Sequence, residues 1–213
     1  MPRLVAILAA LLQTSSLPPA YPRVGTTNLL DNDRVQVWNI AWLKGQPSPP
    51  HRHVYDLVGV YYEPGDRVIS SPNGAKRPVT TKAWDIAFQL KGVTHIEEGT
   101  SDAPLRAVFV EMKQDAYGSI SSILQTGDTP TFAAVAERMG ARPRLDNTRV
   151  TVWDYTSPEA AAGDTPTDRY RHTHALDAVV VSFDGSMPHA SYVARGTTHD
   201  DDGPGRVFIF ELK

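Results

Sequence analysis

The feature that most constrains this chain of 213 residues is that it repeats itself. LLDNDRVQVW from Leu29 lines up with RLDNTRVTVW from Arg144, matching Leu30, Asp31, Asn32, Arg34, Val35, Val37 and Trp38 with Leu145, Asp146, Asn147, Arg149, Val150, Val152 and Trp153. A His-x-His-x-x-Asp pattern follows in each copy, at His51, His53 and Asp56 and again at His172, His174 and Asp177. Next comes Gly-x-x-His, with Gly92 and His95 in KGVTH and Gly196 and His199 in RGTTH. Both copies close alike, on PLRAVFVEMK from Pro104 and PGRVFIFELK from Pro204. Self-similarity at this level means one structural unit used twice.

The unit reads as all-β. VQVWNIAWL, LVGVYY, RAVFVEM, RVTVWDY, DAVVVSF and RVFIFEL are rich in β-branched and aromatic residues and are separated by Pro, Gly, Asp and Asn clusters. One helix is expected, between the copies: TPTFAAVAERMG offers Asp128 or Thr129 as N-cap, Pro130 at the first helical position and Gly140 as its stop. Phe132, Val135, Ala136 and Met139 share one face of that helix, so it is expected to pack across the junction and the copies to touch.

Six of the seven histidines fall into the two matching sets, and this carries the chemistry. Alternate residues of a strand share one face, so His51 and His53 point the same way, as do His172 and His174. A third imidazole from a neighbouring strand, His95 or His199, completes a set of three nitrogen donors. Neutral imidazoles suit Fe, Zn, Ni or Cu, and three ligands leave positions open for water or substrate. With no cysteine anywhere, no thiolate ligand, disulfide or Cys nucleophile is available.

A His-x-His pair on a strand, a following acidic residue, a glycine turn and a later Gly-x-x-His resemble the two motifs of the cupin superfamily. Two such units in tandem resemble a bicupin, over essentially everything from Leu29 to Lys213. The resemblance implies an all-β fold of two tandem jelly-roll barrels with a short helix between them. It also implies a divalent transition metal (Fe, Mn, Zn, Ni or Cu) held by His51, His53 and His95, with His172, His174 and His199 as a second set. Dioxygenase, lyase and isomerase chemistry on a small organic molecule all fit such a centre; a non-catalytic module binding a small polar ligand or the metal itself is the alternative.

This chain departs from the family pattern in two places. Where many cupins carry a Glu four residues after the second His, it has Leu57 and Ala178; where they carry an Asn four residues after the last His, it has Gly99 and Gly203. Asp56 and Asp177 stand one residue before the missing Glu and, by alternation, on the other face. They either bond a backbone group or an Arg outside the barrel, or act as a fourth ligand or as partners orienting a histidine. Glu97 and Glu98 beside His95 are candidate general bases or a solvated turn. Trp38, Trp42, Tyr55, Tyr61, Tyr62 and Trp84 are core or pocket lining. Arg52 and Arg171 point away from the site. The segment between His53 and His95 is longer than its counterpart; with Pro72, Asn73, Gly74 and Pro78 it reads as a lid over the first set, which makes the first copy the expected seat of activity.

The remaining bounds are set by composition. A formal charge of −3 with no run of Lys or Arg argues against nucleic acid as a partner. The expected partners are a small-molecule ligand or substrate and, for assembly, a second copy in a homodimer. One early Arg, an apolar stretch from Leu4 to Leu12 and then Thr14 and Ser16 have the layout of a secretory signal, too short to span a bilayer. The expected organisation is a leader over 1–20, a first domain over 21–115, a helical linker over 116–143 and a second domain over 144–213, with a periplasmic or secreted product that makes no stable membrane insertion after processing; the alternative is a cytoplasmic protein whose N-terminal stretch is a helix or strand packed on the domain.

Overall fold

The computed structural model describes residues 16–114, 142–156, 171–183, 185, 187–200 and 206–213. In the first copy β1 (Thr26–Asp31), β2 (Val35–Trp42), β9 (Leu105–Met112), β4 (Asp56–Glu63) and β7 (Ile86–Gln89) form one antiparallel sheet in that order. The strands β3 (His51–Arg52), β8 (Thr94–Gly99), β5 (Gly65–Ser70) and β6 (Lys76–Thr81) form the second. The second copy repeats this arrangement, with no counterpart of β5 and β6 among the described residues. Its large sheet runs β10 (Arg142–Asp146), β11 (Val150–Thr156), β16 (Arg206–Leu212), β13 (Ala178–Phe183) and β14 (His189–Val193), and β12 (Arg171–Thr173) pairs with β15 (Thr198–Asp200). The architecture is an all-β jelly roll. The expected helix at 129–140 lies outside the described residues.

The repeated residues account for the repeated backbone. Asn32 Oδ1 accepts hydrogen bonds from the amides of Arg34 and Val35, at 2.8 and 2.9 Å, and Asn147 Oδ1 does the same for Arg149 and Val150, at 2.8 and 3.0 Å. Each Asn thereby stands in for a backbone turn and starts the next strand. Even the register slip recurs, between Asn28 and Leu30 in β1 and between Pro143 and Leu145 in β10.

Both large sheets are apolar on both faces, which is why their strands read as continuous hydrophobic runs. In β2, Val35 and Val37 face one way and Trp38, Ile40 and Trp42 the other. The first face joins Val58, Val60, Val108, Val110 and Met112 against Val150, Val152, Val179, Val181, Phe208, Phe210 and Leu212 of the second copy in a single core. The copies therefore touch, sheet on sheet, as expected. Each fully buried side chain of this size contributes roughly 1.5–3 kcal/mol. The opposite faces fill the barrels: Trp38, Ile40, Trp42, Leu57, Tyr61, Leu105, Ala107 and Phe109 in the first, and Trp153, Ala178, Val180, Val193, Val207 and Ile209 in the second.

Asp56 and Asp177 belong to the junction. Asp56 Oδ2 accepts from Arg149 Nε at 2.7 Å, and Asp177 Oδ2 pairs with Arg34 Nη2 at 3.1 Å, so each copy's Asp grips the other copy's Arg. Their second oxygens accept from the amides of Lys91 and Arg195, at 2.7 and 3.0 Å. Of the two readings open for these residues, the bond to an Arg and a backbone group outside the barrel is the one observed. Trp84 also crosses the junction: it packs on Phe183 and Phe208, lies under the Arg206 guanidinium at 4.2 Å, and gives its carbonyl to Arg144 Nη2 at 2.8 Å.

The segment between His53 and His95 forms no lid. It is the β5–β6 hairpin, turned at Pro72–Asn73–Gly74 and paired through β5 to β8, with Pro78 on the edge strand where a missing amide costs no ladder bond. It extends the wall that carries His95 and delivers Arg67 into the interior, where that residue is 8% exposed.

Candidate metal centre

β3 and β8 bring the first set together: His51 is opposite His95 in the strand register. Gly92 explains the glycine of the second motif. Its φ is +93°, a region costly for other L-residues, and its amide bonds the carbonyl of His53 at 2.7 Å, so the turn presents His95 across from the pair. Gly196, with φ of +74°, bonds the carbonyl of His174 at 2.8 Å in the same way.

His51, His53 and His95 are all buried, and one nitrogen from each lies within 4.8 Å of the others. His53 Nε2 and His95 Nε2 are 3.1 Å apart. Two nitrogens each about 2.1 Å from a shared ion, at right angles, would stand about 3 Å apart. His51 Nδ1 lies 2.9 Å from the Pro49 carbonyl and 3.3 Å from Ser48 Oγ, which fixes the ring and leaves the buried Nε2 with no hydrogen-bond partner. Burial, followed by the neighbouring imidazoles, lowers His53 to about 3. Burial likewise lowers His95, to about 4, and lowers His51. The three rings are therefore neutral with lone pairs free, as metal ligation requires. The residues present fit a transition ion in donor type, protonation and spacing.

The position of the family Glu is taken by Leu57, 2% exposed and part of the barrel core, so no carboxylate enters from that strand. Glu97 is on the same face of β8 as His95, but it is committed elsewhere. Its Oε2 accepts from Arg23 Nη2 and from Trp42 Nε1, both at 3.0 Å, and its Oε1 stands 3.6 Å from Arg67 Nε. Burial opposes its charge, yet Arg67 and Arg23 hold it at about 2. Glu97 is thus a fixed anion and no base; Glu98 alternates outward on β8. Glu111 is the opposite case: burial raises it to about 7 against the hydrogen bond from Trp38 Nε1 at 3.0 Å.

In the second copy β12 and β15 set His172 opposite His199 in register. His174 Nε2 and His199 Nε2 are 3.0 Å apart, and His174 Nδ1 is 3.0 Å from Glu211 Oε1, whose other oxygen accepts from Trp153 Nε1 at 2.9 Å. Ala178, where the family Glu would stand, is fully buried. Gly203 lies outside the described residues. In the first barrel Gly99 serves close packing: an added Cβ would fall 2.3 Å from the Trp42 carbonyl oxygen.

Sequence reasoning missed Glu211, Glu111, Arg67 and Arg23. The signal for the first two was present in the repeated Trp of β2 and β11 and the repeated Glu of EMK and ELK, which the folded sheets join as hydrogen-bonded pairs. Of the aromatics, Trp38, Trp42 and Tyr61 fill the first barrel, while Tyr62 and Trp84 pack toward the second copy.

Neither a family model nor a curated protein sequence matches the chain. Among solved structures it is similar to AerE from Microcystis aeruginosa, at 10% identity and a TM-score of 0.57, over 92% of this chain and 96% of that one. It is also similar to a cupin domain from Bordetella pertussis Tohama I, at 26% identity and a TM-score of 0.40, over 46% of this chain and 98% of that one. A third is the cupin 2 conserved barrel domain protein from Leptotrichia buccalis, at 10% identity and a TM-score of 0.46, over 88% of each chain. The likeness to AerE spans nearly the whole of both chains and is a likeness of fold. Among the described residues no helix is long and apolar enough to cross a membrane.

Proposed function

We propose that the chain is a metal-binding bicupin in which His51, His53 and His95 hold a divalent transition metal, with His172, His174 and His199 as a second set, and that it is a metal-dependent enzyme acting on a small organic molecule. The observation that carries this is the buried, neutral three-imidazole cluster, with the unpartnered Nε2 of His51 beside the close pair of His53 and His95. Buried polar atoms without partners are rare and call for an explanation, which an ion supplies. When bound, the ion offers a Lewis-acid or redox centre with open positions, fitting dioxygenase, lyase or isomerase chemistry. The protein orients the His51 ring through Pro49 and Ser48, and burial keeps all three imidazoles neutral, each with one nitrogen lone pair. Of the two carboxyls inside the first barrel, Glu111, at about 7, is the one suited to take up or release a proton near neutrality.

The second reading, a binding module without turnover, is favoured by one observation: Leu57 and Ala178 replace the in-phase carboxylate in both copies. Calorimetric titration of chelator-treated protein with Fe, Mn, Zn, Ni and Cu tests the common ground of both readings. Saturable uptake is expected, with the first set's share lost on His95→Ala and the second set's share kept; no uptake of any of the five overturns the metal proposal.

Export is part of the same proposal, with the leader ending ahead of Pro18, because the Pro18 carbonyl accepts from the Arg52 amide at 2.9 Å and Ala20 and Tyr21 are buried in the first barrel. Amino-terminal sequencing of the protein from the native cell's periplasm or medium is expected to begin between residues 15 and 18. An intact Met1 in that fraction contradicts it.

A further inference from the structure

Inside the first barrel the charges do not balance. Two guanidinium groups, on Arg23 and Arg67, face one carboxylate, Glu97, and their side chains are only 7% and 10% exposed. The surrounding groups do not make up the difference. Glu97 is the ion-pair partner that both arginines share, and the further bond Arg67 makes goes to the Tyr61 hydroxyl. Glu111, raised to about 7 by burial, carries at most a partial charge at neutral pH. A buried cation without a counter-charge is expensive, and a second partner is the usual remedy.

The donors left over lie in the same place. Arg67 Nη1 and Arg23 Nε are buried and have no hydrogen-bond partner, and Arg67 Nε has only the 3.6 Å approach to Glu97. Arg67 Nη2 is spent on the Tyr61 hydroxyl, at 2.7 Å. Both guanidiniums pack against Trp42, their central carbons 4.8 and 5.6 Å from its ring centroid, so the planes are held and the N–H edges stay available. Glu97 ties this cluster to the histidines: it shares a face of β8 with His95, and Ser48 Oγ receives its amide at 2.9 Å while standing 3.3 Å from His51 Nδ1.

We propose that the first barrel takes a small carboxylate, whose charged end is bound by the unused N–H groups of Arg67 and Arg23 and whose body extends toward His51, His53 and His95. The anion subsite stands on the arginines alone; only the role of the histidine end rests on the proposed metal. Guanidinium forks match carboxylate geometry, and a monoanion cancels the excess charge. The molecule's substrate or ligand is thus an organic acid rather than a neutral sugar or a cation.

The test is calorimetric titration of the full chain with acetate and with its neutral isostere acetamide, at constant ionic strength, in metal-free and metal-loaded forms. Acetate is expected to bind both forms and acetamide neither. Arg67→Met and Arg23→Met should each weaken acetate at least about tenfold, the scale of a lost charge-assisted hydrogen bond. Arg67→Lys, which keeps the charge and loses the fork, gives the same direction should the Met variant fail to fold. Glu97→Gln removes the competing carboxylate and should tighten acetate, a result that a purely structural network would not give. The proposal is overturned if acetate and acetamide bind alike, if neither form binds acetate, or if acetate binds only the metal-loaded form and ignores Arg67→Met. That last result would leave the metal proposal standing. Acetate binding to a protein that takes up no metal would remove the metal proposal and keep this one.

Discussion

The two copies share a backbone and a histidine pattern but differ in what surrounds the histidines. In the first, His53 and His95 are separated by 42 residues, the β5–β6 hairpin widens the wall, and the interior holds Arg67, Arg23 and Glu97. In the second, His174 and His199 are 25 residues apart, and a carboxylate from the facing sheet holds His174 by its Nδ1. The corresponding nitrogen of His53 is buried without a partner. Duplication has thus kept the ligand-bearing strands and the cross-copy Asp–Arg grip while the barrel linings diverged. What the copies have in common is the frame; what could recognise a ligand lies in the differences.

The largest effect expected comes from breaking the grip. Asp56→Ala strands Arg149, whose side chain is 10% exposed, and should cost about 3–5 kcal/mol in denaturant unfolding, the scale for one lost partner of a buried pair. Asp177→Ala should cost less, because Arg34 is 18% exposed and water can reach it. The reverse order would show that exposure does not set the relative strength of the two grips. Next, Glu211→Gln should weaken metal binding at the second set about 10- to 100-fold by loosening His174. Glu111→Gln should leave the first set's affinity unchanged. A chelator competition that finds equal losses at both would show the copies to be alike.

Gly92→Ala and Gly196→Ala should each cost about 1–2 kcal/mol, from the left-handed backbone alone. At Gly196 an added Cβ meets nothing within 4 Å, and at Gly92 only Arg52 Nη2 at 3.7 Å. Thermal unfolding that separates the two substitutions widely would show that one turn carries a load the other does not. A separate effect is that of pH on the metal-free protein. His53 and His95 have folded values of about 3 and 4 against an ordinary 6.5, so the unfolded chain binds more protons below 6.5 and stability falls as pH drops through that range. Glu97, at about 2 against 4.5, adds a further loss below 4.5. Glu111 works the other way: its contribution is full below 4.5 and is lost as pH rises through about 7. Melting midpoints that rise on acidification from 6.5 to 4.5 would contradict this ordering.

Most of the frame was legible in the sequence because duplication prints it twice. The six apolar runs became β2, β4, β9, β11, β13 and β16, and alternation placed His51 and His53 on one face. What escaped was whatever had no local period. GDRVIS and KRPVTT look like loop residues until β5 pairs with β8 and β6 with β5, so the hairpin reads as a lid and Arg67 goes unseen. Arg23 enters from a segment ahead of the repeat, so no comparison of copies could find it. Glu211 belongs to the closing motif, yet its partner His174 is 37 residues away and the two meet only through the fold.

The most direct test of the central claim is metal content by inductively coupled plasma mass spectrometry, on protein purified without a metal-binding tag, compared with a folded His51→Ala, His53→Ala double variant. The account predicts a transition metal in the parent, a loss at the first set in the double variant, and metal retained at the second set. An unchanged total in the double variant would contradict it.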